Sequence, residues 1–162
     1  MHGGMRILAI DPGYDRLGIA VIEGSPSRPT LIWSDCVLPD KGTREMRLAH
    51  VWGVVTSAIK KYMPAVLALE TLFFSNNKKT AIGVAEARGA ILAAAGVVSL
   101  AVIEYSPQQI KLAVTGYGGA NKIAVARMIP QLLTLPQKKR LDDELDAIAI
   151  GITALASSPS RH

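Results

Sequence analysis

Cysteine is nearly absent from this chain: Cys36 is the one thiol among 162 residues. An intramolecular disulfide is therefore excluded, and with it the small disulfide-stapled secreted class. No His or Cys residues stand at zinc-ligand spacing, so a structural zinc site is excluded too. A secretory signal pattern is also lacking, which makes a reducing, cytoplasmic setting the expectation. The longest apolar run, residues 90–103, is shorter than the ~20 residues that a bilayer span needs and is punctuated by Gly96. It reads as a buried helix passing into a buried strand, with no membrane contact. Acidic residues are outnumbered, 13 against 18 basic ones, for a formal charge of +5 and a pI near 9.5. The basic clusters Lys60-Lys61, Lys78-Lys79 and Lys138-Lys139-Arg140 suit a polyanionic partner, although solvated helix ends explain them equally well.

At 162 residues the chain is the size of one domain. Residues 1–4 read as a disordered leader, 5–157 as the single domain and 158–162 as a short tail. Short apolar or β-branched stretches at 6–10, 18–23 and 31–37, separated by Pro, Gly, Ser and Asp, predict three strands in an antiparallel meander. Cys36 is expected to be a buried residue of the third. Helical spacing over 43–62, with Thr43 as N-cap and Pro64 beyond the end, predicts the first long helix. The five apolar residues 65–69 predict a fourth strand covered on both faces. Residues 72–79 read as a loop, 80–95 as a helix rich in Ala and Gly, and 97–104 as a fifth strand. A short helix from Ser106-Pro107, a helix over 121–133 bent or interrupted at Pro130, and a helix over 142–156 complete the pattern. Strand, helix and strand in that order predict an α/β fold: a five-stranded mixed sheet of meander plus parallel strands, flanked by helices.

Four of the few acids stand where apolar segments end or begin. Asp11 follows 6–10 and precedes Pro12-Gly13; Glu70 ends 65–69; Asp143 and Asp146 open the last helix. Ligands of open α/β sheets collect at the carboxyl ends of strands, where Asp11 and Glu70 stand. Residues three apart on a helix have Cβ atoms about 5–6 Å apart, so Asp143 and Asp146 share a face. Asp142 and Asp146 are helix neighbours too, which leaves open whether Asp142 or Asp143 joins the set. Turn formation at Asp11 and the helix dipole at 142–144 are the ordinary alternatives. Hard oxygen donors without His or Cys favour Mg²⁺ or Mn²⁺ over softer ions, and Mg²⁺ characteristically takes substrate phosphate oxygens as further ligands. Two such ions ~4 Å apart serve in-line phosphodiester displacement; phosphodiester hydrolysis is the chemistry expected.

Six blocks in order, Ile10-Asp11-Pro12-Gly13, Leu69-Glu70-Thr71-Leu72-Phe73 with Asn76, Ala87-Arg88-Gly89-Ala90, Ser106 to Lys111, Gly116 to Lys122 and Asp143 to Ala149, resemble the RuvC family of Holliday junction resolvases. That resemblance implies an RNase H-like fold and a homodimeric endonuclease that cuts four-way DNA junctions symmetrically. It further implies Asp11, Glu70, Asp143 and Asp146 as catalytic carboxylates holding two Mg²⁺, for which Mn²⁺ substitutes. Lys111 and Lys122 match basic residues near the DNA backbone, and Phe73 an aromatic at the junction centre, with Phe74 its neighbour. Asn76, Lys78 and Lys79 complete the expected DNA contacts, and a branch-migration motor is a further partner to consider. The small-residue helix 80–95, with Arg88 inside it, is expected either at the dimer interface or packed on its own sheet. The short stretch between Pro12 and Glu23, Pro130 and the brief tail depart from the family pattern, the last two without touching the acids. A junction-binding protein without catalysis is the competing reading. An actin-like phosphotransferase would need a second nucleotide-binding domain, for which the chain leaves no room.

Overall fold

The computed structural model describes residues 4–39, 41–72 and 78–158, with the backbone alone at Lys78 and Lys79. Strand β1 (Met5–Asp11) pairs antiparallel with β2 (Leu17–Ser25), and β2 antiparallel with β3 (Arg28–Val37). Helix α1 (Arg44–Tyr62) crosses to β4 (Val66–Glu70), parallel to β1; α2 (Lys78–Val97) crosses to β5 (Val102–Tyr105), parallel to β4. The sheet order is β3-β2-β1-β4-β5. Helices α3 (Pro107–Thr115), α4 (Lys122–Leu132) and α5 (Asp142–Ala156) follow. This is the mixed α/β sheet expected from the pattern, meander first and crossovers after.

Side chains alternate across a strand, so each strand serves two cores. Leu8, Ile10, Ile19, Val21, Leu67 and Leu69 pack with Val51, Val55, Ile91 and Ala95 of α1 and α2. Ile7, Ala9, Ala20, Ile22, Val66 and Ala68 pack with Ile148, Ile152 and Leu155 of α5, backed by Ile110, Val125 and Ile129. Helix α5 is buried continuously from Ala147 to Leu155, the mark of a helix with core on all sides. Each Ile so placed contributes roughly 1.5–3 kcal/mol by leaving water. Parity then decides where the acids point. Asp11 shares a face with Ile7 and Ala9, and Glu70 with Val66 and Ala68, so both carboxylates project on the side covered by α5.

Several expectations need correction. The fifth strand is Val102–Tyr105 rather than 97–104. Val97 still belongs to α2, and the chain reverses through Ser99 at φ 55°, with Leu100 N donating to the Ala95 carbonyl. The β-branched pair Val97-Val98 read as strand, but helix and turn claim it. Helix α2 begins at Lys78, not Thr80, which takes Lys78 and Lys79 out of the expected loop. It is 20 residues long, and over Thr80–Val97 its mean hydropathy of 1.3 is high enough for a bilayer crossing. Its buried residues include Ile91, Ala94 and Ala95, which pack against α1 and the sheet. Pro130 interrupts nothing: α4 runs through it to Leu132, with the ring on the exposed side. Thr43 caps α1 by backbone only, with no side-chain bond. Cys36 is half-buried rather than buried. Nearly all of the expected leader and tail lies outside the described residues.

Candidate metal centre and nucleic-acid interface

Asp11 is the last residue of β1 and pairs in register with Gly18 of β2. A Cβ built on Gly18 would stand 1.8 Å from the carbonyl oxygen of Asp143. Only glycine lets the first turn of α5 approach the sheet this closely, and that approach brings Asp143 and Asp146 to Asp11. The electrostatics record the result. Burial raises the Asp11 carboxyl to about 8, with Asp146, Asp143 and Glu70 adding to the rise and Lys122 opposing it. Burial and then Asp146 likewise push Glu70 up, against Lys122 and Lys111. Asp146 is raised by burial, with Lys122 opposing and Asp143 and Asp142 adding to the rise. Desolvation and like charge both disfavour the ionised forms, so the four carboxylates named by the sequence share one electrostatic site.

Two basic groups temper that repulsion. Lys122, the first residue of α4, places Nζ 2.8 Å from Asp146 Oδ2, which raises the lysine's own pKa. Arg16, in the β1–β2 loop, brings Nε to 3.1 Å from Asp143 Oδ2. That contact is close enough for an ion pair but is not aligned as a hydrogen bond: Asp143 Oδ2 is buried and accepts none. Asp142 is exposed and is not among the groups that perturb Asp11. Asp143 therefore turns inward and Asp142 outward. The loop carrying Arg16 is held from α1, where Arg47 lies 4.2 Å from the Tyr14 ring centroid and Nη2 donates to the Tyr14 carbonyl at 2.8 Å.

The donor set fits a hard divalent cation: carboxylate oxygens, one of them buried without a hydrogen bond, in a site with surplus negative charge. Among the described residues no three His, Cys, Asp or Glu side chains close into a ready cage. Arg16 and Lys122 occupy the oxygens of Asp143 and Asp146 that a cation would take. An open cleft of about 170 Å³ adjoins the acids, with Ile123, Val125, Ile129 and Leu145 lining it and Lys122, Asp142 and Asp146 among its polar residues.

The sequence reading missed the Glu144 cluster that supports these acids, though it singled out Arg88. Glu144, between Asp143 and Asp146, is 3% exposed. It accepts a hydrogen bond from Ser34 Oγ at 2.5 Å and pairs with Lys138 Nζ at 2.8 Å and Arg140 Nε at 3.2 Å. Lys138 also donates to the Ser34 carbonyl at 3.0 Å. The basic run at 138–140, which read as surface, is thus partly spent on one buried acid. Arg88 is 8% exposed, as a structural arginine would be; Nη1 donates to the Glu70 carbonyl at 2.8 Å and the guanidinium pairs with Glu104. A single Arg inside an Ala/Gly helix was the available signal. Cys36 pairs with Gly18, and burial followed by Asp143 pushes its thiol up. Phe73, Phe74 and Asn76 lie outside the described residues, and the side chains of Lys78 and Lys79 do as well.

The raised carboxyl of Asp11 predicts a pH dependence. Its folded pKa of about 8 lies above the unfolded 3.8, so between those values the folded state binds the extra proton. Unfolding free energy then falls as pH rises from about 4 to about 8. In metal-free protein, Asp11→Asn should melt higher than wild type at pH 8, with the gap shrinking towards pH 5. Calorimetry across that range checks this; a gap independent of pH would contradict it.

A family model described as crossover junction endodeoxyribonuclease RuvC matches residues 7–154. The protein of that description from Moorella thermoacetica is 39% identical over 159 residues, covering 98% of this chain and 95% of its own. One from Brevibacillus brevis is 41% identical over 154 residues, covering 92% and 90%. Among solved structures, Thermus thermophilus RuvC in complex with a Holliday junction substrate superposes with TM-score 0.86 at 30% identity over 92% of each chain. The yeast mitochondrial resolvase Ydc2, at 10% identity and TM-score 0.72 over 94% of this chain and 79% of its own, shares the fold.

Proposed function

This chain belongs to the RuvC family of crossover junction endodeoxyribonucleases, and on that premise we propose that Asp11, Glu70, Asp143 and Asp146 are its catalytic carboxylates. The protein is an RNase H-like hydrolase acting on DNA, a Holliday junction resolving endonuclease of recombination and repair, from a metal-dependent family. The observation that carries the assignment is the Asp11 carboxyl, half-buried at the end of β1 and raised to about 8 with three further carboxylates contributing. Carboxylates gathered at such a cost call for cations.

The four acids would hold two Mg²⁺, with Mn²⁺ able to substitute. When bound, such ions polarise a phosphodiester, generate hydroxide from water and stabilise the leaving oxygen. The chain's own residues do the rest. Arg88 fixes the end of β4 through the Glu70 carbonyl, and so directs Glu70. Lys122 is a local cation whose ammonium is free for a phosphate oxygen once Asp146 is engaged elsewhere. Lys111, whose charge acts on Glu70, supplies a second phosphate contact. Phe73, Asn76, Lys78 and Lys79 remain the proposed contacts to the junction centre and arms, within a functional unit of residues 5–157.

A four-way junction has two equivalent strands to cut, which suits a two-fold homodimer. Helix α2 supports that reading: Ala85, Gly89, Leu92, Ala93 and Gly96 form an outward stripe that its own fold leaves exposed. Cytoplasmic residence and a branch-migration motor as partner complete the proposal. The test is purified protein with Mg²⁺ and a synthetic four-way junction beside linear duplex of the same sequence. Paired, symmetric cuts in the junction alone are expected; a junction bound but left whole would sink the enzyme reading.

Gly18 offers a check on how the site is assembled. With a Cβ at position 18 the Asp143 carbonyl must retreat, and misplacement by about 1 Å can cost roughly 10²-fold in rate. Gly18→Ala should therefore fold, bind junctions and cut them about 10²-fold more slowly in single-turnover assays. Cutting at the wild-type rate would show that the close approach is dispensable.

A further inference from the structure

The turn between α3 and α4 presents an aromatic ring to solvent among the basic groups that border the acids. Tyr117 is 68% exposed, yet its backbone is held at both ends. Thr115 Oγ1 donates to the Lys111 carbonyl at 2.7 Å and accepts from Tyr117 N at 3.1 Å, while Ala120 N donates to the Tyr117 carbonyl at 3.1 Å. Asn121 Oδ1 then caps α4 by accepting from Ala124 N at 2.8 Å. A Cβ at position 119 would stand 2.6 Å from Cζ and Oη of Tyr117, so the hydroxyl end lies over Gly119 and a side chain there would push the ring aside.

What surrounds this ring points to its ligand. The turn is bracketed by Lys111, whose charge acts on Glu70, and Lys122, which bonds Asp146. Leu112 and Ile123, each next in sequence to one of those lysines, are 55% and 63% exposed. In sequence, an exposed ring stands between two lysines that each act on the acids, and such residues are the elements of a single-strand nucleic-acid platform: the lysines take the backbone and the ring takes a base. A tyrosine held in advance on a rigid turn loses little conformational freedom on binding.

We propose that Tyr117 is a DNA-binding residue whose ring stacks on a nucleobase of the strand being cut, beside the scissile phosphate, while Lys111 and Lys122 take the flanking phosphates. This deepens the junction-cutting reading and rests on it. Losing a stack made in both ground and transition states raises KM more than it lowers kcat.

Tyr117→Ala should raise the half-saturating junction concentration about 5- to 100-fold, Tyr117→Phe should stay within about twofold of wild type, and Gly119→Ala should show part of the loss by displacing the ring. A binding readout accompanies this one: 2-aminopurine, placed in turn at each base next to the branch point, in junctions bound without divalent metal. Wild type and Tyr117→Phe should quench one of these positions and Tyr117→Ala none, with melting temperatures unchanged because the residue is exposed. The proposal is overturned if Tyr117→Ala keeps every quenching signal and the wild-type half-saturation. It is overturned equally if Tyr117→Phe loses as much as Tyr117→Ala, which would assign the hydroxyl and not the ring. A wild-type protein that binds junctions and never cuts them would overturn the nuclease reading instead, while the quenching comparison would still decide the fate of Tyr117.

Discussion

Replacing Asp146 by Asn should slow junction cutting on the order of 10³-fold or more while leaving junction binding intact. Asp146 is the largest charge contribution to the rise of both Asp11 and Glu70, and its Oδ2 is the atom Lys122 holds at 2.8 Å. An amide keeps the size of the carboxyl and loses its charge, so the local fold should survive. A cation would then lose an anionic oxygen at the centre of the cluster. Affinity for DNA should hold or rise in metal-free buffer, since one negative charge leaves a surface that meets phosphates and Lys122 is released towards them. Single-turnover cleavage with Mg²⁺ and fluorescence anisotropy without it measure the two arms. Cutting within tenfold of wild type would remove Asp146 from the catalytic set, and loss of binding in step with cutting would recast it as a folding residue.

The second large effect concerns Glu144, which touches no substrate. Its carboxylate is nearly sealed from water and is shared by Ser34, Lys138 and Arg140, and the Arg140 side chain is itself only 7% exposed. Deleting one member of a buried ionic set leaves the others desolvated without a partner, at about 3–5 kcal/mol. Lys138 is 41% exposed and can reach water, so Glu144→Ala should cost about 3 kcal/mol, the lower end of that range. For a domain of this size that lowers the melting temperature by on the order of 10 °C. Cutting should fall as well, because Asp143 and Asp146 stand on either side of Glu144 in the same helical turns. Glu144→Gln keeps the shape and an acceptor for Ser34, and should recover part of the stability. A Glu144→Ala variant that melts within 2 °C of wild type would show that the cluster is not what anchors α5.

Much of this site was legible before folding was considered, for reasons that are local. Strand β4 is five residues ending in an acid, so the apolar run alone places Glu70 at a strand's carboxyl end. Ser106-Pro107 at the head of α3 forms the full capping box with Gln109, a signal written in four consecutive residues. The failures are equally physical. Val97-Val98 has β propensity, but the turn through Ser99 closes on carbonyls of α2. The basic run at 138–140 resembled a solvated surface because its partner, Glu144, though only four residues past Arg140, stands among acids that read as helix-dipole and metal-site groups. Arg16 gave no signal at all, since its pairing with Asp143 joins residues far apart in the chain.

By itself the sequence determined which four acids stand at element ends and which of them can act as neighbours. Side-chain direction repeats every two residues along a strand and recurs three to four residues along a helix, and both are properties of short segments. Only the tertiary structure decided that Asp143 turns inward and Asp142 outward, because that depends on how α5 is rotated about its own axis. Two contacts set the rotation: the missing Cβ at Gly18 under the Asp143 carbonyl, and the Ser34 to Glu144 hydrogen bond across 110 residues of sequence. Neither contact has a local signature, since each is a distance between surfaces that meet only when the sheet and helix pack.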